Sequence, residues 1–164
     1  MTVVQLYSTL GKPMNNHDIL RRIRYVFDFS DAKLRSLFQL GGQTVTQAQV
    51  SEWLSAKDEA GTDLCSDACL AAFLNGLIVE KRGKKDGVEL PKETELTNNI
   101  ILMKLKIALN LQASDMIHIL SLAKVTISKH ELSALFRKPS NHHYRECMDQ
   151  FLRNFLAGLV LHYR

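Results

Sequence analysis

Residues 66–83 read Ser-Asp-Ala-Cys-Leu-Ala-Ala-Phe-Leu-Asn-Gly-Leu-Ile-Val-Glu-Lys-Arg-Gly, and a related stretch follows 82 positions later. Apolar residues at positions 70, 73, 74, 77 and 78 have the spacing of one face of an α-helix. Asp67 in the first turn, two basic residues in the last turn and Gly83 beyond them are typical of helix ends. The identical pairs are Cys65/Cys147, Asp67/Asp149, Leu70/Leu152, Phe73/Phe155, Leu74/Leu156, Gly76/Gly158, Leu77/Leu159 and Arg82/Arg164. This pattern predicts a long helix that occurs twice.

The similarity extends well beyond these two stretches. Residues 16–82 align with residues 98–164 without a gap, and 14 of the 67 aligned positions are identical. Two copies of a unit this long are typical of a domain duplication, whereas solenoids repeat shorter units many times. We therefore predict an all-α fold of two homologous four-helix units, related by that constant offset in numbering and packed against each other with pseudo-two-fold symmetry.

Each unit is predicted to contain three shorter helices before its long one. The second helices are predicted over residues 31–40 and 114–122. The predicted N-caps of the first and third helices are Asn16, Thr46, Asn98 and Ser128. The apolar residues expected to be buried are Ile19, Leu20, Ile23, Val26, Phe27, Leu34, Leu37, Phe38, Leu40, Val50, Trp53 and Leu54 in the first unit, and Ile101, Leu102, Leu105, Ala108, Leu109, Met116, Ile119, Leu120, Leu122, Leu132, Leu135 and Phe136 in the second.

The repeat also divides the chain. Residues 1–13 end in Gly-Lys-Pro and have no counterpart in the second half, so we interpret them as a leader, with Met14 as an alternative start. The first unit then covers residues 14–83 and the second covers residues 97–164. Between them, residues 84–96 are rich in charge and contain both Gly and Pro, which is typical of a linker.

The composition is that of a globular protein, with 46% apolar and 23% charged residues in a chain of 164. The sequence has no run of about 18 apolar residues, so no membrane-spanning segment is predicted. Its first residues lack the basic start and apolar core of a secretory signal. The three cysteines show no closely spaced disulfide pattern, which favours a reducing compartment. We predict a cytoplasmic protein that is not associated with a membrane.

Gly76 and Gly158 occupy equivalent positions inside the two long helices. A glycine within a helix costs about 1 kcal/mol relative to alanine, so its presence in both copies indicates a specific reason. The usual reason is the close approach of another backbone. We expect the two long helices to meet each other near these glycines.

Charge distinguishes the two units. Residues 16–82 carry a net charge of −1 and residues 98–164 one of +5, with histidine taken as neutral. Basic surfaces attract anionic partners through long-range fields. The predicted contacts to an anionic partner are Arg21, Arg22, Arg24, Lys104, Lys106, Lys124, Lys129, Arg137, Lys138, Arg145 and Arg153. The partner expected for such a surface is a nucleic acid or an acidic protein.

Two segments are similar to a known bacterial family. Residues 73–83, Phe-Leu-Asn-Gly-Leu-Ile-Val-Glu-Lys-Arg-Gly, resemble the F-L-N-G-L-I-x-E-K-R-G signature of the YehS-like family, and residues 145–159 contain a related pattern. The resemblance covers residues 14–164 and implies a tandem domain of unknown function with no catalytic residues to transfer. Independently of this resemblance, we predict a structural role for residues that the two copies of the repeat share, namely Cys65, Asp67, Phe73, Leu74, Gly76, Cys147, Asp149, Phe155, Leu156 and Gly158.

No complete metal motif occurs. His143 and Cys147 are spaced i, i+4 and His142 is adjacent, so a helix that begins there could offer two or three ligands. The first unit has no histidine at the equivalent positions, and surface histidines beside a buried thiol are the simpler interpretation. Cys65 and Cys147 precede helix N-termini, where the dipole stabilises a thiolate, but an aspartate two residues later opposes that effect. We predict structural thiols, no metal and no cofactor.

The sequence supports two functional hypotheses. It contains no phosphate loop, nucleotide-binding glycine fingerprint or catalytic triad pattern. We therefore favour a non-catalytic interaction module whose basic second half binds nucleic acid or an acidic protein. The alternative is a small-ligand-binding protein or enzyme with a pocket at the seam between the units, lined by a polar cluster of Cys65, Asn75, Cys147 and Arg153. The sequence does not determine the oligomeric state.

Overall fold

The computed structural model describes residues 14–55, 64–84, 87 and 89–164, so the predicted leader, residues 1–13, lies outside the described residues. The regular elements of the described residues are eight α-helices, which confirms the all-α prediction. They are α1 (Asn16–Phe27), α2 (Asp31–Leu40), α3 (Gln47–Leu54), α4 (Asp67–Arg82), α5 (Asn98–Ala108), α6 (Ala113–Leu122), α7 (Lys129–Ala134) and α8 (Asp149–Tyr163). None of these eight has the length and apolar character needed to cross a bilayer.

The first helix of each unit is capped one residue earlier than predicted. The side chain of Asn15 accepts a hydrogen bond from the backbone N–H of Asp18, whose carboxylate in turn accepts from Asn15, and this capping box starts α1. Thr97 caps α5. Asn16 and Asn98 are therefore not caps, and their amides are available for contacts outside the helix. The other two predicted caps are confirmed, Thr46 on α3 and Ser128 on α7.

Most of the apolar residues expected in the core are buried there. Leu40 is an error of prediction, because it is 46% exposed. Leu34, Leu37, Phe38 and Gly41 follow the i, i+3, i+4, i+7 spacing that faces the core, and this leaves Leu40 to one side of that face. The residues that are only half-buried are Phe27, Leu54, Leu109, Leu122 and Phe136.

The phenylalanines shared by the two long helices are both fully buried, but their surroundings differ. The ring of Phe73 lies 5.1 Å from that of Phe38, centre to centre. Leu120 holds the position equivalent to Phe38 in the second unit, so Phe155 has no ring there to pair with. Phe155 is enclosed in the core and out of reach of a ligand. Its burial agrees with the structural role predicted for it. Both units thus have a buried phenylalanine at this position, although only the one in the first unit packs against the ring of Phe38.

The glycines of the long helices do allow a close approach, but the partner is not the one predicted. A Cβ atom on Gly76 would lie 1.8 Å from the carbonyl oxygen of Leu37, and one on Gly158 would lie 2.3 Å from that of Ile119. Leu37 and Ile119 are themselves equivalent in the repeat and belong to α2 and α6. Each long helix therefore uses its glycine to pack against the second helix of its own unit, and the expected meeting of α4 with α8 at these residues was wrong.

The two units are joined by an exchange of helix contacts. The long helix α4 packs on α5, the first helix of the other unit, and the long helix α8 packs in the same way on α1. Exchanging the two units converts one contact into the other, as pseudo-two-fold symmetry requires. The buried apolar side chains of both units form one continuous core. The molecule therefore has two equivalent seams between its units.

Candidate functional site

An aspartate at the start of α4 bridges the two units. One carboxylate oxygen of Asp67 accepts a hydrogen bond from the side-chain amide of Asn16, over 2.9 Å. The other accepts from the backbone N–H of Leu96, also over 2.9 Å. Asn16 lies on the first helix of the same unit, whereas Leu96 leads into the first helix of the other. Asp67 therefore links the beginnings of three helices.

The second unit repeats this arrangement atom for atom. The oxygens of Asp149 accept from the amide of Asn98 over 2.6 Å and from the backbone N–H of Met14 over 3.1 Å. Met14 is the counterpart of Leu96 in the repeat, so residue 14 is held before α1 in the same way as residue 96 is held before α5. These contacts explain why the repeat keeps both an asparagine and an aspartate at these positions.

The cysteines that precede the long helices are also held alike. The backbone N–H of Cys65 donates to His17 Nε2 over 3.0 Å, and that of Cys147 donates to the side-chain oxygen of Asn99 over 2.8 Å. Burial, aided by nearby carboxylates, raises the pKa of Cys147 to about 12. The thiol is therefore protonated at neutral pH, which favours a structural role over a nucleophilic one.

The histidines near Cys147 differ from it in accessibility. His142 and His143 are exposed, with ring centroids 3.9 Å apart, while Cys147 is buried. Nowhere in the described part of the chain do three His, Cys, Asp or Glu side chains form a group that could hold a metal ion.

The seam between α4 and α5 is closed by a polar cluster, and we call it the closed seam. Lys104 Nζ on α5 donates to the side-chain oxygen of Asn75 on α4 over 2.6 Å and lies 3.0 Å from a carboxylate oxygen of Glu93. The amide of Asn75 donates to the carbonyl oxygen of Pro91 over 2.9 Å. Residues 89–96 of the linker thus lie across the seam, held by the amide of Asn75, the ammonium group of Lys104 and, at Leu96, the carboxylate of Asp67.

This cluster corrects two predictions. Lys104 is 3% exposed, so it is not available to an external anion as expected. Its charge is balanced inside the protein, since a buried ammonium group requires a partner. Asn75 is indeed part of a polar cluster at a seam, but its partners are Lys104 and Pro91, not the cysteines and Arg153.

No described residue closes the seam between α1 and α8 in this way, and we call it the open seam. A groove of about 550 Å³ follows it. The wall contributed by α8 is apolar, whereas α1 contributes charged and aromatic side chains. The lining residues are Asp18, Arg21, Arg22 and Tyr25 from α1 and Leu156, Ala157, Val160 and Leu161 from α8. Leu156, for which only a structural role was predicted, therefore also borders the groove.

The two seams differ at two pairs of equivalent side chains. Arg22 is the counterpart of Lys104 in the repeat, and Ala157 is the counterpart of Asn75. The open seam therefore keeps a cation but replaces the amide with a methyl group. No oxygen of a described residue forms a hydrogen bond or an ion pair with the half-buried Arg22.

The neighbouring arginine has a different role. The guanidinium of Arg21 donates to the carbonyl oxygens of Trp53 and Ser55 over 3.2 and 2.6 Å and pairs with Asp18 over 2.5 Å. These bonds fasten the end of α3 to α1. Although Arg21 was predicted to contact an anionic partner, its donors are largely used within the first unit, so Arg22 is the cation that the groove presents.

Aromatic and apolar side chains extend the groove toward the end of α8. Tyr25 is 57% exposed and Leu161 is 61% exposed. Arg164 donates to the carbonyl oxygen of Tyr25 over 2.6 Å, and its guanidinium lies 4.3 Å from the centre of the Tyr25 ring. Exposed large apolar residues grouped beside a groove are typical of a binding surface.

The other predicted basic residues lie apart from this groove. Lys106 is half-buried with its ammonium 4.9 Å from the centre of the Phe136 ring, and Arg153 donates to Gln150 over 2.8 Å. The remaining predicted residues are exposed, namely Arg24, Lys124, Lys129, Arg137, Lys138 and Arg145.

Sequence reasoning missed Glu93 and Tyr25. A signal for the first was present, since Asn75 interrupts the buried face of α4 and a buried amide needs partners. The repeat offered a second signal, because the counterpart of Asn75 is Ala157, whose side chain needs no hydrogen-bond partner. Tyr25 carried no comparable signal, since its exposure depends on how α1 and α8 cross.

Comparison with known proteins agrees with this repeat architecture. Residues 15–83 and 98–164 both match the family described as "Protein of unknown function (DUF1456)". The chain is 42% identical over 148 residues to the "Uncharacterized protein YehS" of Escherichia coli (strain K12), which covers 90% of this chain and 95% of that protein. No solved structure gives a significant match. The chain belongs to the DUF1456 family, and the resemblance to YehS-like proteins and the tandem organisation are confirmed.

Proposed function

We propose that this DUF1456 protein is a non-catalytic interaction module that binds an acidic protein through the groove of the open seam. The observation that carries the proposal is the pair of equivalent cations. Lys104 in the closed seam is neutralised by the carboxylate of Glu93. Arg22 in the open seam has the same position in the repeat and no such partner among the described residues. A carboxylate from another protein would complete it.

The lining of the groove favours a protein over a nucleic acid as the partner. Leu156, Val160 and Leu161 form an apolar wall opposite Arg22, and the exposed Tyr25 ring extends it. Aromatic, aliphatic and arginine side chains are the residues that dominate protein interfaces. Nucleic-acid surfaces need several cations aimed at successive phosphates.

The distribution of cations gives further support. Lys104 is buried, and Arg21 donates hydrogen bonds to carbonyl groups of the first unit. Of the cations predicted on the first helices, Arg22 is the one that remains for a partner in the open seam, and Arg24 is exposed but does not line the groove. The second unit still presents exposed lysines and arginines, so nucleic acid is kept as an outcome of the experiment below.

The alternative of an enzyme with a pocket at the seam is less well supported. The carboxylate that lines the groove, Asp18, is engaged in the capping box with Asn15 and in the ion pair with Arg21. A carboxylate that acts as a general base or nucleophile must lie beside the reacting atom and have an oxygen that is not already used in other bonds. The groove residues supply apolar contact and one cation, which is suited to recognition.

The test is affinity purification of the full chain from a bacterial lysate, with and without nuclease. Arg22→Glu is compared with Arg24→Glu, which makes the same charge change two residues away at an exposed position that does not line the groove. We expect an acidic protein that survives nuclease treatment, is lost with Arg22→Glu and is kept with Arg24→Glu. Capture that nuclease abolishes would indicate nucleic acid instead, and equal behaviour of the two variants would exclude the groove.

A further inference from the structure

The linker shows how this scaffold holds an extended peptide. Leu90, Glu93 and Leu96 are spaced three residues apart and turn toward the protein, while Pro91 and Lys92 between them are exposed. The two leucines pack against the core, and the glutamate between them pairs with Lys104. The pattern is one carboxylate flanked by apolar side chains on a segment without helical structure.

The contact at the end of this segment is repeated at the open seam. At the end of the linker the backbone N–H of Leu96 donates to Asp67, and the backbone N–H of Met14 donates to Asp149 in the equivalent way. A separate segment placed on the open seam as residues 89–93 are placed on the closed seam would therefore run along the groove. Its counterpart of Glu93 would come beside Arg22.

We propose that the groove of the open seam binds an extended acidic peptide segment of a partner protein, in the manner of the linker on the closed seam. The inference rests on the proposed function and adds the form of the partner: an aspartate or glutamate bonded to Arg22, with an apolar side chain a few residues away against the α8 wall. Arginine is well suited to this role, because its fork of donors binds a carboxylate with two parallel hydrogen bonds.

Charge argues for a partner from outside this chain. Residues 1–13 precede Met14 directly, but they contain no Asp or Glu and so offer no side-chain carboxylate to Arg22. The linker itself contains three glutamates, at 89, 93 and 95, and one of them is already bound to Lys104. A peptide that binds Arg22 needs a side-chain carboxylate, which the linker has and residues 1–13 do not.

The repeat also predicts how binding can be strengthened. On the closed seam, Asn75 donates to a backbone carbonyl of the bound segment, at Pro91. Ala157 holds the equivalent position on the open seam and has no donor. Ala157→Asn should therefore add a hydrogen bond to the backbone of a bound peptide, and the added affinity does not depend on the peptide's own side chains.

The probe is a fluorescent peptide that copies residues 87–96, Gly-Val-Glu-Leu-Pro-Lys-Glu-Thr-Glu-Leu, titrated with the full chain and followed by anisotropy. We expect saturable binding that Arg22→Gln weakens by about tenfold, as loss of a charge-assisted hydrogen bond implies. Arg24→Gln is the matched control and should leave affinity unchanged. Glutamine at the central glutamate of the peptide should weaken binding as Arg22→Gln does, and Ala157→Asn should strengthen it by about threefold to tenfold.

The outcomes separate this inference from the proposed function. Absence of peptide binding, together with Arg22-dependent capture of an acidic protein, would overturn the extended-peptide form and leave the function standing. A photoreactive p-benzoylphenylalanine in place of Ala157 identifies the occupant in the full chain. Cross-links to the peptide support the inference. Cross-links to residues 1–13 of the same chain, or to a second copy of the chain, would overturn it.

Discussion

The closed and open seams are made from equivalent helices, yet they differ at the two positions where a bound segment would be held. The closed seam places Asn75 and Lys104 around the linker, and the open seam places Ala157 and Arg22 around a groove. The backbone contacts that frame both seams are the same, through Asp67 and Asp149. The repeat therefore keeps the contacts that frame both seams. The two seams differ in the side chains placed between those contacts, and among the described residues only the seam between α4 and α5 is filled.

The units also differ in how closely their long helices pack. In the first unit a Cβ atom on Gly41 would lie 1.7 Å from the carbonyl oxygen of Ala72, so α2 and α4 touch through two glycines. The second unit has Ala123 in place of Gly41 and keeps only Gly158. The first unit is consequently the tighter of the two.

The largest expected effect tests that difference. Gly76→Ala should destabilise the protein by about 4 kcal/mol or more, because a Cβ 1.8 Å from a carbonyl oxygen forces α2 and α4 apart. Gly158→Ala should cost about 2 kcal/mol, since the distance is 2.3 Å and the side chain of Ile119 supplies part of the contact. Urea denaturation measures both. Equal losses would mean that the two units pack equally closely.

The next largest effect on stability is expected at the closed seam and not at the open one. Lys104→Met should destabilise the protein by about 3 kcal/mol, because Glu93 and Asn75 are left without their shared donor. Arg22→Met should change stability by less than about 0.5 kcal/mol, since Arg22 has no such partner among the described residues. Both values can be taken from urea denaturation curves of the full chain.

The double variant Lys104→Met with Glu93→Leu is the control for the charge. It should recover much of the loss, because an apolar pair replaces the buried ion pair. If Arg22→Met proves as costly as Lys104→Met, the two seams do not differ as described.

The smallest effect tests what the seams share. Asp67→Ala and Asp149→Ala each remove the acceptor of one amide and one backbone N–H, so each should cost about 1–2 kcal/mol. The two losses should agree closely, as thermal or urea unfolding would show. A loss of stability with only one of the two variants would show that the contacts of Asp67 and Asp149 are not equivalent.

Much of the fold could be predicted because its signals are local. The 3.6-residue period of an α-helix placed Leu34, Leu37 and Phe38 on a buried face, and turn chemistry identified Thr46 and Ser128 as caps. The error at Asn16 has a physical cause, because two adjacent asparagines can both cap and only a distant contact shows that the second is used elsewhere. Leu40 was misplaced because an apolar residue at a helix end reveals little about which side is covered.

The candidate site was less accessible to such reasoning. Lys104 and Arg22 are both basic residues on a polar stripe in the sequence, and nothing local distinguishes a buried cation from a solvated one. Glu93 belongs to a hydrophilic linker whose contacts depend on how it crosses α4 and α5. The glycine pair signalled close packing correctly but could not name the helix that approaches.

The sequence by itself determined the repeat, the helices and the faces that they bury, because identity at a fixed offset and hydrophobic periodicity are properties of the chain. Only the tertiary structure decided which helix meets each glycine, which lysine is buried and which seam is left with a groove. Those outcomes depend on contacts between residues far apart in sequence, such as Asn75 with Lys104, and such contacts exist only once the two units have packed together.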